Sequence, residues 1–444
     1  MMHSEIGASL IIGDATSEAF AWAEENLTLK NPEYAKKERM GLWLGNTPKE
    51  IRLYSVSGPN LILPFGVLEE AWKALGLGKR PYELDFAPWR AISLKGGQSL
   101  YPYQENAVDA MMKAKCGVLV APCGSGKTQM GLTLIQRLGG RALWLTHTQK
   151  LLKQSEERAK KLFPGIRCGE VTEGKCEFGE DITFATVQTM SKLDPSSYRE
   201  EFSVVVCDEC QHAVGSPTQV RMFYRVVGNC ACRHKYGLTA TPKRQDGLTP
   251  AMHALLGPTA HEVTDSEVGA RIVKAKHIRV NYDRNYSPWT YCSTDGTVDF
   301  AALTSAICSD GARNALIASK VAERFAEGGR RQLVLTSRVE HAKALAETIP
   351  GASLCVGRIS ESKRDYGAPV IVATYALAKE GLDIPDLDAV HFATPIKDPI
   401  AVRQSAGRVE RAKDGKMAPV VYDYVDESIP YCVRAYQKRR AILK

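Results

Sequence analysis

GVLVAPCGSGKT, residues 117–128, decides the fold. An apolar run leads into a turn holding Gly124, Ser125 and Gly126, then Lys127 and Thr128. An amphipathic segment, KTQMGLTLIQRLGG, follows and closes at a glycine pair. A buried strand entering a glycine-rich turn that opens a helix is the setting in which a loop cradles phosphate. The glycines let backbone N–H groups face phosphate oxygens without a Cβ clash. The helix start adds its positive dipole end. Lys127 offers a point charge to the β- and γ-phosphates, and Thr128 offers a hydroxyl to Mg²⁺. The strict pattern begins with Gly, where this chain has Ala121.

A phosphate loop needs an acidic partner for the metal. VVVCDECQHA, 204–213, supplies one. Its apolar start reads as a strand, with Asp208 and Glu209 at the C-terminal end, where ligands bind in open α/β sheets. Asp208 is expected to hold Mg²⁺ through water, and Glu209 to polarise the attacking water. Cys207 and Cys210 flank the pair and read as small filler residues. The twelve cysteines are scattered through a large chain without a secretory pattern, which favours reduced thiols over disulfides or zinc.

Around these motifs, short apolar runs (RALWLT, ITFAT, YGLTAT) alternate with amphipathic segments such as KLLKQSEERAKKLF. This is βαβ alternation and predicts a parallel sheet. It lapses from about 258 to 310, read as an irregular linker, then resumes with QLVLT, VEHAKALAETI, VIVAT, DAVHFATP and VVYDYV. The first hundred residues differ: a helix SEAFAWAEENL, a strand pair around IRLYSVSGPNLILPF, and a helix VLEEAWKALGL predict a small α+β domain. The expected domains are 1–95, an accessory domain expected to bind DNA, 96–265 with the phosphate loop and the acidic pair, and 266–444 with the linker and the arginine pair. At 44% apolar and 24% charged residues the chain is ordinary for a globular protein, and no apolar run nears the ~20 residues of a membrane span. A cytoplasmic location is expected. The net charge of +8 permits a polyanionic partner without requiring one. The basic C-terminal RAYQKRRAILK fits a solvated helix face as well as a phosphate contact.

The second α/β segment has no phosphate loop, yet carries QSAGRVER, 404–411. Arg408 and Arg411 are three apart and share a helix face. Such a pair can act as arginine fingers on charge developing at a γ-phosphate; the alternative is a basic surface helix.

Taken together, these pieces resemble a superfamily 2 helicase of the DExH type. The phosphate loop is similar to motif I, DECQH to motif II, LTATP (238–242) to motif III, LTSRVEHA (335–342) to motif IV, VATYALAKEGLDIP (372–385) to motif V and QSAGRVER to motif VI. YPYQ, 101–104, resembles the adenine-contacting segment before motif I. Six motifs in family order are far more specific than one. Within the superfamily the chain looks nearest to the phage UvsW, XPB and RecG-like DNA helicases. NPEYAKKERMGLWLGNTPKEIRLY followed by LILPFG resembles the front domain of phage members, with Phe65 where Arg is common.

The resemblance implies two RecA-like parallel-sheet domains in tandem after the α+β domain. It implies ATP and Mg²⁺ as cofactors, and DNA as partner, single-stranded, forked or branched and bound without sequence preference. Gln104 would bond the adenine edge, and Tyr101 or Tyr103 would stack on the base. Thr239, Thr241 and His212 would couple hydrolysis to DNA. Gly381 and Asp383 would contact nucleotide, and Gln404, Arg408 and Arg411 would act in catalysis. Thr148, Gln149, Gln188, Thr189, Arg338 and Thr374 would touch DNA phosphate, although for each hydroxyl a helix N-cap is the commoner role. The same motifs fit an RNA helicase or the motor of a restriction system.

Overall fold

The computed structural model describes all residues except 1–2, 80, 215–216, 242–246, 270–272, 295, 330, 358, 360–362, 380–383, 385, 411–415 and 444. The chain forms two compact units, one of residues 1–122 and 126–267, the other of 268–444 with 123–125. Among the described residues no helix is long and apolar enough to cross a membrane.

The first unit is built on an eight-stranded sheet among the described residues. Its strands run, edge to edge, Lys175–Glu177, Cys168–Thr172, Ile182–Thr186, Ala142–Thr146, Val204–Asp208, His234–Thr239, Cys116–Val120 and Thr259–Glu262. Only Lys175–Glu177 is antiparallel to its neighbour. The central strands ALWLT, VVVCD and ITFAT are buried along their whole length, which explains their unbroken apolar runs. The helix Lys127–Leu138 ends on Gly139 in the left-handed region (φ 65°), as the glycine pair predicts. The strand His234–Thr239 lies between the phosphate-loop strand and the acidic strand. Register pairs Thr239 with Val120 and Leu238 with Asp208, so the three strands end level.

The α+β element shares this unit and its core. Its sheet runs Ser55–Ser57, Asn60–Pro64, Ser9–Ile12, Ser4–Ile6 and Tyr82–Leu84. Leu10, Leu61, Leu63 and Phe65 belong to one apolar cluster with Leu248, Leu255 and Leu256. Lys235, fully buried, donates to the Ala8 carbonyl at 2.6 Å and stands 4.7 Å from the Phe65 ring centre. Phe65, at the position where Arg is common, thus provides an aromatic face to a buried ammonium. Gly66 is required by close approach: a Cβ there would lie 2.3 Å from the His253 carbonyl.

The second unit is an all-parallel sheet, six strands among the described residues, in the order Lys276–Tyr282, Val420–Asp426, Ala389–Phe392, Gln332–Thr336, Val370–Thr374 and Ala352–Cys355. The expected irregular stretch over 258–310 is therefore corrected. Thr259–Glu262 is an edge strand of the first sheet, and Lys276–Tyr282 is an edge strand of the second, paired along its length with Val420–Asp426. Both are edge strands with mostly half-buried or exposed side chains. Their mixed polarity follows from having one neighbour, and it hides them from a search for apolar runs.

Candidate nucleotide site

The phosphate loop has the backbone its glycines predict. Gly124 and Gly126 sit at φ 85° and 87°, and Gly126 immediately precedes the helix starting at Lys127. The Lys127 ammonium donates to the carbonyls of Ala121 at 3.2 Å and Pro122 at 3.4 Å, folded back on its own loop. Gln104 is buried. Its side-chain oxygen accepts from the Tyr101 N–H at 3.0 Å, capping the helix Pro102–Ala114. Its amide nitrogen lies against Gly126, where a Cβ would approach it to 2.5 Å. The YPYQ segment thereby meets the phosphate loop directly. The Tyr101 and Tyr103 rings stack at 6.1 Å, and Tyr101 is the exposed one.

Asp208 ends its strand at 6% exposure. Burial lifts its carboxyl to about 7, the neighbouring Glu209 charge adds to this, and Lys127 opposes it. Ser155 donates to it at 3.5 Å and the Glu209 N–H at 3.0 Å. Glu209 adopts φ 49°, a strained region for a non-glycine residue, which turns it out of the strand. Burial raises the Glu209 carboxyl as well, but Lys127 and then a hydrogen bond from Gln211 outweigh this and hold it low.

Gln211 was not singled out in the sequence, and it is the connector. It is fully buried; its amide donates to Glu209 at 2.6 Å and its oxygen accepts from the Thr239 hydroxyl at 2.5 Å. The Thr241 N–H then donates to the Thr239 oxygen at 3.0 Å. A continuous relay runs from the acidic pair to the end of the neighbouring strand. The available signal was a glutamine within an apolar turn directly after Asp-Glu. His212 takes another position, with its ring stacked 4.0 Å from that of His147. Burial, together with the charge of His212, lowers His147 to about 4.

The expected nucleic-acid residues have local partners. Thr148 caps the helix Gln149–Leu162 by accepting from Leu151 at 3.3 Å, with Gln149 in its first turn. Gln188 donates to the His147 carbonyl at 2.9 Å, and Thr189 accepts from Thr186 at 3.1 Å. In the second unit Thr374 accepts from the Leu377 N–H at 3.4 Å, and Arg338 donates to the Ala301 carbonyl at 3.2 Å. Gln404 and Arg408 lie on the helix Pro399–Val409; Gln404 is buried, and the half-buried Arg408 donates to the Ala378 carbonyl. Gly381, Asp383 and Arg411, with Pro242 and Pro385 of the quoted motifs, lie outside the described residues.

The donor set suits phosphate with a hard divalent cation. It joins an ammonium, a helix N-terminus behind left-handed glycines, the Thr128 hydroxyl and a carboxylate whose buried charge is only part-compensated.

A family model described as the type III restriction enzyme res subunit matches residues 98–244. A putative ATP-dependent RNA helicase of Acanthamoeba polyphaga mimivirus is 24% identical over 74% of this chain and 64% of its own length. A putative DNA 3′-5′ helicase Rad25 of Halobacterium salinarum is 27% identical over 70% of this chain and 52% of its own. The chain thus spans less than two thirds of either relative. Among solved structures, S. cerevisiae Dbp5 bound to RNA and ADP BeF3 matches the fold at TM-score 0.57, with 15% identity over 78% of this chain and 88% of Dbp5. With six motifs in order on two parallel-sheet domains of RecA-like type, the chain is similar to the superfamily 2 helicases.

Proposed function

We propose that this chain is a DNA-stimulated ATPase that couples hydrolysis to movement on, or remodelling of, branched or duplex DNA in the cytoplasm. The observation that carries the reading is the relay Glu209–Gln211–Thr239–Thr241, buried at Gln211 and Thr239. It ties the acidic pair to a strand end that a bound strand can displace, the minimum a coupled motor needs.

In this reading Lys127 leaves its loop carbonyls for the phosphates of ATP, exchanging two neutral acceptors for charged ones. Glu209, kept ionised by Lys127 and Gln211, orients the attacking water and takes its proton. Mg²⁺ held by Thr128 and, through water, by Asp208 would neutralise charge on the triphosphate. Gln104 and Tyr101 position the base. Gln404, Arg408 and Arg411, with Gly381 and Asp383, keep the nucleotide roles that the resemblance implies, Arg408 as the cation for charge developing on the γ-phosphate. Thr148, Gln149, Gln188, Thr189, Arg338 and Thr374 bind backbone phosphate, each exchanging a local hydrogen bond for one to DNA.

The front-domain resemblance to phage DNA helicases favours DNA; of the two relatives, one is named a DNA helicase and the other an RNA helicase. The test is the ATPase rate on single strand, duplex, fork, four-way junction and their RNA equivalents at fixed salt. Stimulation is expected to be strongest with forked or branched DNA. Stimulation by RNA alone would replace DNA as the substrate, and a rate indifferent to every nucleic acid would end the motor reading.

A further inference from the structure

Residues 28–52 form an excursion from the N-terminal sheet. Thr28–Lys30 pairs antiparallel with Glu50–Arg52 as a separate two-stranded ribbon. Between them stand the helix Pro32–Arg39, which buries none of its residues, and a loop. The loop is firmly framed. Buried Asn31 caps the helix and donates to the Pro48 carbonyl at 2.6 Å, and Lys37 donates to Thr47 at 2.7 Å. The Leu42 N–H returns to the Lys37 carbonyl at 2.9 Å.

This frame holds apolar side chains in water. Trp43 is 88% exposed, Met40 57% and Leu42 52%. Gly41 and Gly45, at φ 61° and 50°, set the turns on either side. Gly45 is also the seat of the indole: a Cβ there would lie 2.9 Å from the Trp43 ring. One part of the ring therefore rests on bare backbone while the rest faces solvent. Folding gains little from an aromatic residue held out in this way, and Trp43 stands beside exposed Met40 and Leu42 as a face that a ligand can cover. The surrounding charge selects the ligand. Residues 28–52 carry six Lys and Arg against three Glu, and Lys36, Arg39 and Lys49 are exposed.

We infer that the loop 40–45 is a base-stacking site. Trp43 takes the face of an unpaired nucleobase, and the cations beside it meet the adjoining phosphates. Stacking is indifferent to base identity, which suits a motor that does not read sequence. The inference rests on the nucleic-acid reading above and adds a site to it.

The test measures binding of a homothymidine strand, its RNA counterpart and a blunt duplex to the full chain and to Trp43→Ala, Trp43→Phe and Gly45→Ala at fixed salt. Trp43→Ala should weaken binding of the unpaired strands about five- to a hundredfold, with less than about a twofold change on the duplex. Trp43→Phe should keep most of the affinity, and Gly45→Ala, which displaces the ring, should behave as a milder Trp43→Ala. Tryptophan fluorescence of the full chain should be quenched by the strand, with part of that quench absent in Trp43→Phe. The thermal melt of each variant checks folding, since an exposed ring contributes little to it. Unchanged strand binding by Trp43→Ala, in a protein whose ATPase those strands stimulate, overturns the stacking site alone. Equal weakening on strand and duplex overturns the preference for unpaired bases. No stimulation of the unaltered protein by any strand overturns the motor reading instead, and no variant is needed to see it.

Discussion

In the first sheet Asp208 stands buried at a strand end, its carboxyl lifted to about 7, while the nearby Lys127 spends its hydrogen bonds on loop carbonyls. In the second sheet three buried arginines each meet a buried aspartate. Arg439 meets Asp423 through two bonds at 2.8 and 2.6 Å, Arg313 meets Asp426 at 2.8 Å, and Arg324 meets Asp388 at 3.3 Å. His391 is likewise held neutral by burial, between Gln332 and Tyr424. Both domains bury ionisable groups in the same kind of sheet. What differs is the partner: Asp423, Asp426 and Asp388 each meet an arginine, whereas Asp208 meets the Ser155 hydroxyl and the Glu209 N–H.

The sharpest test of the architectural half is Arg439→Ala. Arg439 is 1% exposed and also donates to the Ile396 carbonyl at 3.0 Å. Its loss leaves the fully buried Asp423, among the described residues, with His277 at 3.1 Å. Breaking a buried pair from one side costs about 3–5 kcal/mol. Urea unfolding followed on the second-domain transition should show a loss of that size. A change below about 1 kcal/mol would mean that this pair is dispensable, and the contrast between the sheets would collapse.

The other half predicts a different kind of loss. Lys127→Ala should lower ATP turnover by about 10²–10³, roughly 3–4 kcal/mol of transition-state stabilisation, because the charge is present for the phosphates. Its unfolding free energy should change by far less than that of Arg439→Ala. If Lys127→Ala unfolds as readily as Arg439→Ala, Lys127 belongs to the architecture and the division between the sheets is lost.

The contrast also marks what the sequence could disclose. Strands such as ALWLT and VVVCD are legible because burial on both faces demands an unbroken apolar run. The phosphate loop is legible because left-handed backbone demands Gly124 and Gly126. Lys276–Tyr282 is not, because an edge strand can be polar and still pair along its whole length. Thr148 and Thr374 show a limit of another sort: a cap and a phosphate contact use the same hydroxyl, so residue type cannot separate them. The relay through Gln211 depends on two strands finishing level, a property of register that no local pattern encodes.

Gln211 gives the finest test, because it belongs to neither class outright: it is closed by internal bonds, yet those bonds position a ligand-facing group. Gln211→Leu keeps the volume and removes both contacts. Glu209 then loses a donor to its charged form, so its carboxyl should titrate higher than in the parent. A general base works above its own pKa, so the acid limb of the kcat profile should move to higher pH, and turnover at neutral pH should fall about tenfold. Thr239→Val removes only the far bond of the relay and leaves Gln211 on Glu209. It should leave the acid limb in place while weakening stimulation by nucleic acid. A pH profile unmoved by Gln211→Leu would show that Lys127 alone keeps Glu209 ionised and that the relay carries no information about the site. A limb moved equally by Thr239→Val would show that the whole chain of bonds, rather than its first member, sets the base.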